Sequence, residues 1–496
     1  MSISDILPEC VIHKILSNLN FREATRMSIL SKIWLRAWFT HPNVTITFGN
    51  PDHVKSVDYM MERYRDSKIH IENFKFLKTF DSYSDLNELY EKWLEIALDN
   101  GVKEVEYGQF EQICKSSPYT FPIFRVLAVK SLRQLVLSNC HLSLLLPTTT
   151  TTTSHLRKLV LFQVTLDDKM LQTLLTSCPL IVDFTMEYCS GFTKIEVCKL
   201  QYIKSAYIRI LSTERVYIQT APTLECLTYM GVIRKSPMLE TFKCKNLKSL
   251  TLACHSLSDG YLEHLLSTCQ FLESLMLYDV LGRYNICGSQ SLKYLKVVCS
   301  KEASIDEIDV PNLTRLEYIG DDQIPLLKLA NGSMKNSILI VRGSHNLDYA
   351  WFDDKLRKFL SKSTSWSEVS LDLSRCNEIN MTTDQLHRSN PQVQVQVDIL
   401  NLTLSRDHCP AILDTLLCSC RPSRLNIWAT VEMLTCSIDQ LMKEDSSKPW
   451  RSQLKQVKAY RYDWVRECLM PEELTSGELA KRSLNKTDKI LCLLDW

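Results

Sequence analysis

Glycine is scarce in this chain, at 12 of 496 residues, so the sequence is neither collagen-like nor dominated by flexible linker. No apolar run reaches the length of about 18 residues that a membrane-crossing helix needs. No C-x-x-C and no H-x-x-x-H occurs among the 19 cysteines and 11 histidines, which removes the usual zinc and dithiol frameworks. The opening MSISDILPEC carries Asp5, Pro8 and Glu9 where a secretory signal has a basic segment and then an apolar one. The thiols are therefore expected to stay free, in a cytoplasmic or nuclear protein. Neither sign of charge prevails: 58 basic and 57 acidic residues leave a net +1, so dedicated nucleic-acid or membrane-surface binding is not expected. Also missing are the P-loop and the G-x-G-x-x-G, G-x-S-x-G and H-E-x-x-H motifs, and we expect no enzyme activity, cofactor or metal. What remains is globular in composition, 45% hydrophobic and 23% charged, and too long for one ordinary core.

Residues 5 to 39 carry a compact helical pattern. Leu7 and Pro8 open it, and proline suits a first helical turn because its missing N–H would be unsatisfied there. Ile12, Ile15, Leu16 and Leu19 follow at i, i+3, i+4 and i+7, one face of a helix. A second short helix from about Arg22 turns Ala24, Met27 and Leu30 inward, and a third from about Ser31 sets Trp34 and Trp38 on one face. Such a head, of about 40 residues, is below the size at which a free-standing core usually suffices, so it needs a partner, either the rest of the chain or another protein.

The string LPECVIHKILSNLNFREATRMSILSKIWLRAWF resembles the F-box of plant F-box proteins. The family's spacing is kept at Leu7, Pro8, Ile15, Leu16, Ser17, Leu19, Arg22, Glu23, Ala24, Ser28, Leu30, Ser31, Lys32, Trp34 and Trp38. Two positions depart: Cys10-Val11 replaces an acidic-then-aliphatic pair, and Ile33 replaces an arginine. The resemblance implies that Leu7, Pro8, Ile12, Ile15, Leu16, Leu19, Leu30, Trp34 and Trp38 bind a Skp-family adaptor, and through it cullin and RING subunits.

The middle of the chain repeats itself. SLRQLVLSNCHL places Leu132, Leu135, Leu137, Cys140 and Leu142 on the L-x-x-L-x-L-x-x-N/C-x-L template, and HLRKLVLFQVTL repeats it from Leu156. Further units start at Ile181, Leu224, Leu247, Leu272, Leu292 and Leu313, with an eroded one expected near Leu200 and Ile203. The connecting segments repeat as well: LDDKMLQTLLTSC, LSDGYLEHLLSTC and LDTLLCSC align through Cys178, Cys269 and Cys420, which are expected to pack as small apolar residues. The L-x-L alternation predicts stacked parallel strands about 4.8 Å apart, backed by a helix in the longer units and by a turn or 3₁₀ segment in the shorter ones. Thr148 to Thr153 reads as a loop insertion.

The expected fold is α/β: a three-helix F-box over residues 1–45, a connector or divergent repeats over 46–115, leucine-rich repeats over 116–330, and degenerate repeats with a cap over 331–496. The terminal ILCLLDW is expected to form a last strand that covers the solenoid's edge. The family resemblance implies a substrate-recognition subunit of an SCF-type ubiquitin ligase whose repeats bind a target protein that the sequence does not identify. A non-degradative scaffold or decoy is the alternative. Arg133, Gln134, Arg157, Lys158, Glu273, Ser274, Lys293 and Tyr294 flank the inward leucines and are candidates for the exposed surface.

Overall fold

The computed structural model describes residues 7–19, 21–48, 54–78, 86–109, 119–143, 154–196, 200–210, 215–217, 221–231, 238–240, 244–253, 257, 260–299, 303–321, 323–329, 333–343, 347–348, 351–374, 379–380, 395–404, 409–429, 431–442, 450–463, 468–473 and 488–496. The threonine run and His255 lie outside them. The chain divides into two compact units, Met1–Leu247 and Lys248–Trp496.

The first unit begins with three helices, α1 (Glu9–Leu16), α2 (Phe21–Met27) and α3 (Lys32–Phe39). Pro8 stands one residue before the first turn, and Ser31 caps α3 by accepting the Trp34 N–H at 3.4 Å. Repeats start at once. β1 (Asn43–Phe48), β2 (Asn73–Lys78) and β3 (Glu104–Gln109) pair in parallel and alternate with α4 (Val54–Asp66) and α5 (Leu86–Asp99). The segment 46–115, read as a connector or divergent repeats, thus completes two strand–helix units, and the first of them already begins at Asn43.

The ladder continues through Gln134–Ser138, Lys158–Phe162, Asp183–Glu187, Ser205–Ile210 and Cys226–Gly231, all parallel. Its register turns the sequence repeat into columns: Leu135 faces Leu159, then Phe184, Ala206 and Leu227, while Leu137 faces Leu161, Met186, Ile208 and Tyr229. Every one of these side chains is buried. The eroded unit expected near Ile203 supplies the strand Ser205–Ile210. At the end of successive strands the backbone turns through a left-handed residue, Asn139, Gln163 and Tyr188, with φ between 53° and 54°. L-residues adopt this conformation at a cost. Here each N–H donates to the next repeat, Asn139 to the Phe162 carbonyl at 3.0 Å, Gln163 to Glu187 at 2.8 Å and Tyr188 to Arg209 at 2.8 Å. The following residue, Cys140, Val164 or Cys189, then drops into the core.

The second unit repeats the arrangement through Ser249–Ala253, Ser274–Tyr278, Tyr294–Val298, Arg315–Asp321, Ser337–Arg342, Ser365–Asp372, Val395–Thr403 and Cys420–Ala429. One feature differs from the sequence expectation. The short units carry strands on their backs in place of turns: Gly282–Cys287, Ala303–Asp309 and Leu326–Leu327 pair with one another, as do Lys194–Glu196, Arg215–Tyr217 and Met238–Glu240 in the first unit. Six extended residues span about 20 Å, a distance for which a helix needs about 13 residues, so a short repeat closes its coil by extending. The terminal strand Asp488–Asp495 covers the free side of the last parallel strand without being the outermost strand itself. It inserts antiparallel between Cys420–Ala429 and Gln456–Asp463, and Cys468–Glu473 lies beyond them.

Candidate functional site: the head and its junction with the repeats

Ile12, Leu16, Ala24, Trp34 and Ala37 form the head's own core, with Leu7, Ile15, Leu19, Met27 and Trp38 packed partly buried against it. Ile12, Leu16 and Trp34 are 0, 3 and 3% exposed, so these three of the nine residues assigned to docking are spent inside the head and act on any partner only through the helices they hold. Pro8 is exposed, and Leu7, Ile15, Leu19 and Trp38 are half-buried. Leu30, expected to face inward with α2, instead stands in the turn after that helix at 54% exposure.

Leu30 has apolar company. Ile29 is 83% exposed, Ile33 38%, Leu35 40% and, on α1, Val11 40%. Four of the five fall within residues 29–35, in the turn before α3 and in its first turn. Sequence reasoning passed over Ile29, Ile33, Leu35 and Val11 because none lies on the helical period of the core. The signal was their phase: apolar side chains one or two residues away from the buried stripe. Ile33 is also one of the residues that depart from the F-box pattern, and in place of an arginine it adds apolar surface.

The head is tied to the first repeat by His41, which is buried between α3 and β1. Its Nε2 lies 3.0 Å from the His13 carbonyl, and its Nδ1 lies 3.2 Å from the Asn43 N–H and 2.7 Å from the Asn43 carbonyl. Each ring nitrogen thus faces a backbone carbonyl, and a neutral ring, with one N–H, donates to only one of the two. Burial pushes the His41 pKa below its ordinary 6.5, with the nearby His13 adding to the effect. The Tyr64 hydroxyl donates to the His41 carbonyl at 2.6 Å, and the Arg63 guanidinium stacks 3.4 Å from the centre of the Phe39 ring. Thr40 Oγ1 donates to Glu9 Oε1 at 2.9 Å, closing α3 onto α1.

Behind this latch lies a cavity of about 270 Å³. Its head side is Leu16, Leu19, Ala24 and Trp38, and its repeat side is the start of the first four strands.

Along the rest of the ladders, the sequence-assigned surface residues Arg133, Gln134, Arg157, Lys158, Glu273, Ser274, Lys293 and Tyr294 are all exposed or half-buried. The described cysteines carry no disulfide, and burial pushes the thiols of Cys178, Cys189 and Cys420 up to about 12 and that of Cys269 up to about 11. Among the described residues no group of three or more His, Cys, Asp or Glu side chains is placed to hold a metal, and no helix is long and apolar enough to cross a membrane.

A helical head with exposed apolar residues, joined to coils of stacked parallel strands, defines an α/β repeat protein. Comparison with known proteins makes the class specific. A model of the F-box domain matches residues 5–44, one of the At1g61320/AtMIF1 leucine-rich-repeat domain matches 61–278, and one of the repeats of the FBD-associated F-box protein At5g56370 matches 228–331. The Arabidopsis thaliana F-box protein At5g03100 is 26% identical over 59% of this chain and 87% of its own length. The F-box/LRR-repeat protein At5g02910 of the same plant is 23% identical over 79% of this chain and 83% of its own length. The chain belongs to the plant F-box/leucine-rich-repeat family. F-box domains in general bind Skp-family adaptors, F-box/repeat proteins generally act as substrate adaptors of SCF ligases, and none of the matching models describes an enzyme.

Proposed function

We propose that this chain is the substrate-recognition subunit of an SCF-type E3 ubiquitin ligase. The head docks on a Skp-family adaptor, which connects it to cullin and RING subunits, and the exposed positions of the strand ladders bind a target protein. The chain supplies no acid, base or nucleophile. Its contribution is to hold a target lysine near a ubiquitin-loaded enzyme, which raises the effective concentration of the reacting groups. Such a protein works in the cytosol or the nucleus, where its thiols stay reduced.

The observation that carries this reading is the exposure of the apolar residues Ile29, Leu30, Ile33 and Leu35 on a domain whose own core is already filled by Ile12, Leu16 and Trp34. Apolar side chains left in water beside a completed core are the composition of an interface centre. The docking face is therefore assigned to Leu30, Ile29, Ile33 and Leu35, with Val11, Pro8 and the half-buried Leu7, Ile15, Leu19 and Trp38 extending it. The test is co-purification of the full chain with a Skp-family adaptor. Native protein is expected to form a stable complex and an Ile29→Ser, Leu30→Ser variant to lose it. A native chain that folds and leaves the adaptor unbound would overturn the reading.

A further inference from the structure

The cavity behind the head is built from parts far apart in the chain, and its chemistry is uneven. Its apolar lining comes from both sides, Leu16, Leu19 and Trp38 from the head and Val44, Phe74 and Val105 from β1, β2 and β3. Its polar wall is a register row: Asn43, Asn73, Glu104 and Gln134 are the first residues of four neighbouring strands and face one another in turn. Neighbouring strands are about 4.8 Å apart, so the row runs for about 14 Å along the wall.

The charges on this wall do not balance. Lys75 Nζ lies 2.7 Å from Glu106 Oε1, so that cation is already matched. Lys103, next to the row, is held 2.8 Å from Glu72 Oε1. The Asn73 amide, with its NH2 turned to the acceptors around it, donates to Glu104 Oε2 at 3.2 Å and to the Glu72 carbonyl at 3.2 Å. Glu104 stands exposed in the cavity wall and accepts from that amide, but pairs with no cation among the described residues. His41 lines the cavity too, but both its ring nitrogens are engaged by backbone groups of His13 and Asn43. The cavity thus sets apolar side chains on a polar wall that holds one carboxylate no cation neutralises. A carboxylate in such a place favours a cation, and the apolar lining favours a compact hydrocarbon body beneath it.

We propose that this cavity binds a small organic monocation, a primary ammonium on a compact apolar body, with the ammonium at Glu104 and the body between Trp38, Leu19 and Phe74. Because the walls come from the head and from the first strands, the occupant bridges the two and stiffens their junction. The proposal is independent of the ligase reading and stands or falls separately from it.

The test uses the full chain and three probes of similar shape: phenethylamine, the neutral 2-phenylethanol and the anionic 3-phenylpropionate. Binding is followed by ligand-observed NMR, and hydrogen exchange is followed over residues 38–46. The amine is expected to bind saturably and slow exchange across that segment, the alcohol to bind at least about tenfold more weakly, and the anion not to bind. Glu104→Gln should remove the preference for the amine over the alcohol. Thr45→Trp, a change at an exposed residue of the cavity wall, should block all probes while leaving the thermal melt in place. The absence of saturable amine binding, equal affinity for amine and alcohol, or an unchanged preference in Glu104→Gln would each overturn the proposal.

Discussion

Replacing Ile29 and Leu30 together by serine separates docking from folding in the head. Fully burying an isoleucine or leucine is worth about 1.5–3 kcal/mol. Ile29 and Leu30 are 83 and 54% exposed, which leaves most of that gain uncollected in the isolated chain. Scaled by those exposures and summed, burial of the pair against an adaptor contributes about 2–4 kcal/mol. Its loss corresponds to about a 30- to 700-fold weaker complex. The same change removes nothing from the head's core, so the thermal melt should move by no more than an exposed substitution usually does, about 0.5 kcal/mol. Isothermal titration of a purified Skp-family adaptor into native and variant chains gives the affinities, and circular dichroism gives the control. A variant that melts normally and still binds with native affinity would show that docking uses another face.

The opposite behaviour is expected of Trp34→Ala, which empties the centre of the head at a cost of about 3–5 kcal/mol. A core this small does not survive that loss, so hydrogen-exchange protection should vanish across α1 to α3 together with adaptor binding, while exchange in the strand ladder stays native. Leu161→Ala, in the middle of a column of buried side chains, should cost the repeats about 2–5 kcal/mol in urea unfolding and leave adaptor affinity unchanged. His41 predicts a pH dependence. Its folded pKa lies below 6.5, so at pH values between the two constants the unfolded chain binds the extra proton, and stability rises with pH across that window. The urea midpoint should therefore fall as the pH drops below about 6.5, and His41→Gln should flatten that part of the profile. Iodoacetamide at neutral pH should modify the exposed Cys10, Cys226 and Cys436 and spare the buried Cys178, Cys189 and Cys420, as read by peptide mass spectrometry without denaturant.

The repeats were legible because their period and their burial are one fact. A leucine at every L-x-L position states which side of the strand faces in, and the register then stacks Leu137 on Leu161 and Met186 as the alignment of the units implies. The same logic fails where both sides of an element are apolar. In the head, the spacing that groups Ile12 with Leu16 and Trp34 with Trp38 identifies a shared face. It does not say whether that face meets its own neighbours or a partner. The structure answers that Trp34 is inside and Leu30 outside. The back strands went unread because Gly282–Cys287 alternates over too few residues to stand apart from a turn. The strands beyond the last one were hidden because Gln456–Asp463 and Cys468–Glu473 have no repeat to align them.

The cavity marks the limit of sequence reading for a different reason. Leu19, Phe74 and Glu104 share no motif and no period. They meet because parallel strands bring their first residues into one row and because His41 fixes the head against that row. Each tie at the junction is modest: a ring held by two backbone groups, a phenol on a carbonyl and a guanidinium on a ring. Together they set the direction in which the exposed apolar residues of the head point relative to the first strands. In a subunit that works by holding two proteins in register, that direction matters as much as either contact surface, since proximity accelerates a reaction only when the geometry is held. His41→Ala should therefore leave adaptor affinity near native, because no docking residue changes, and yet raise hydrogen exchange over residues 38–46. Unchanged exchange in that variant would show that Tyr64 and Arg63 hold the junction without it.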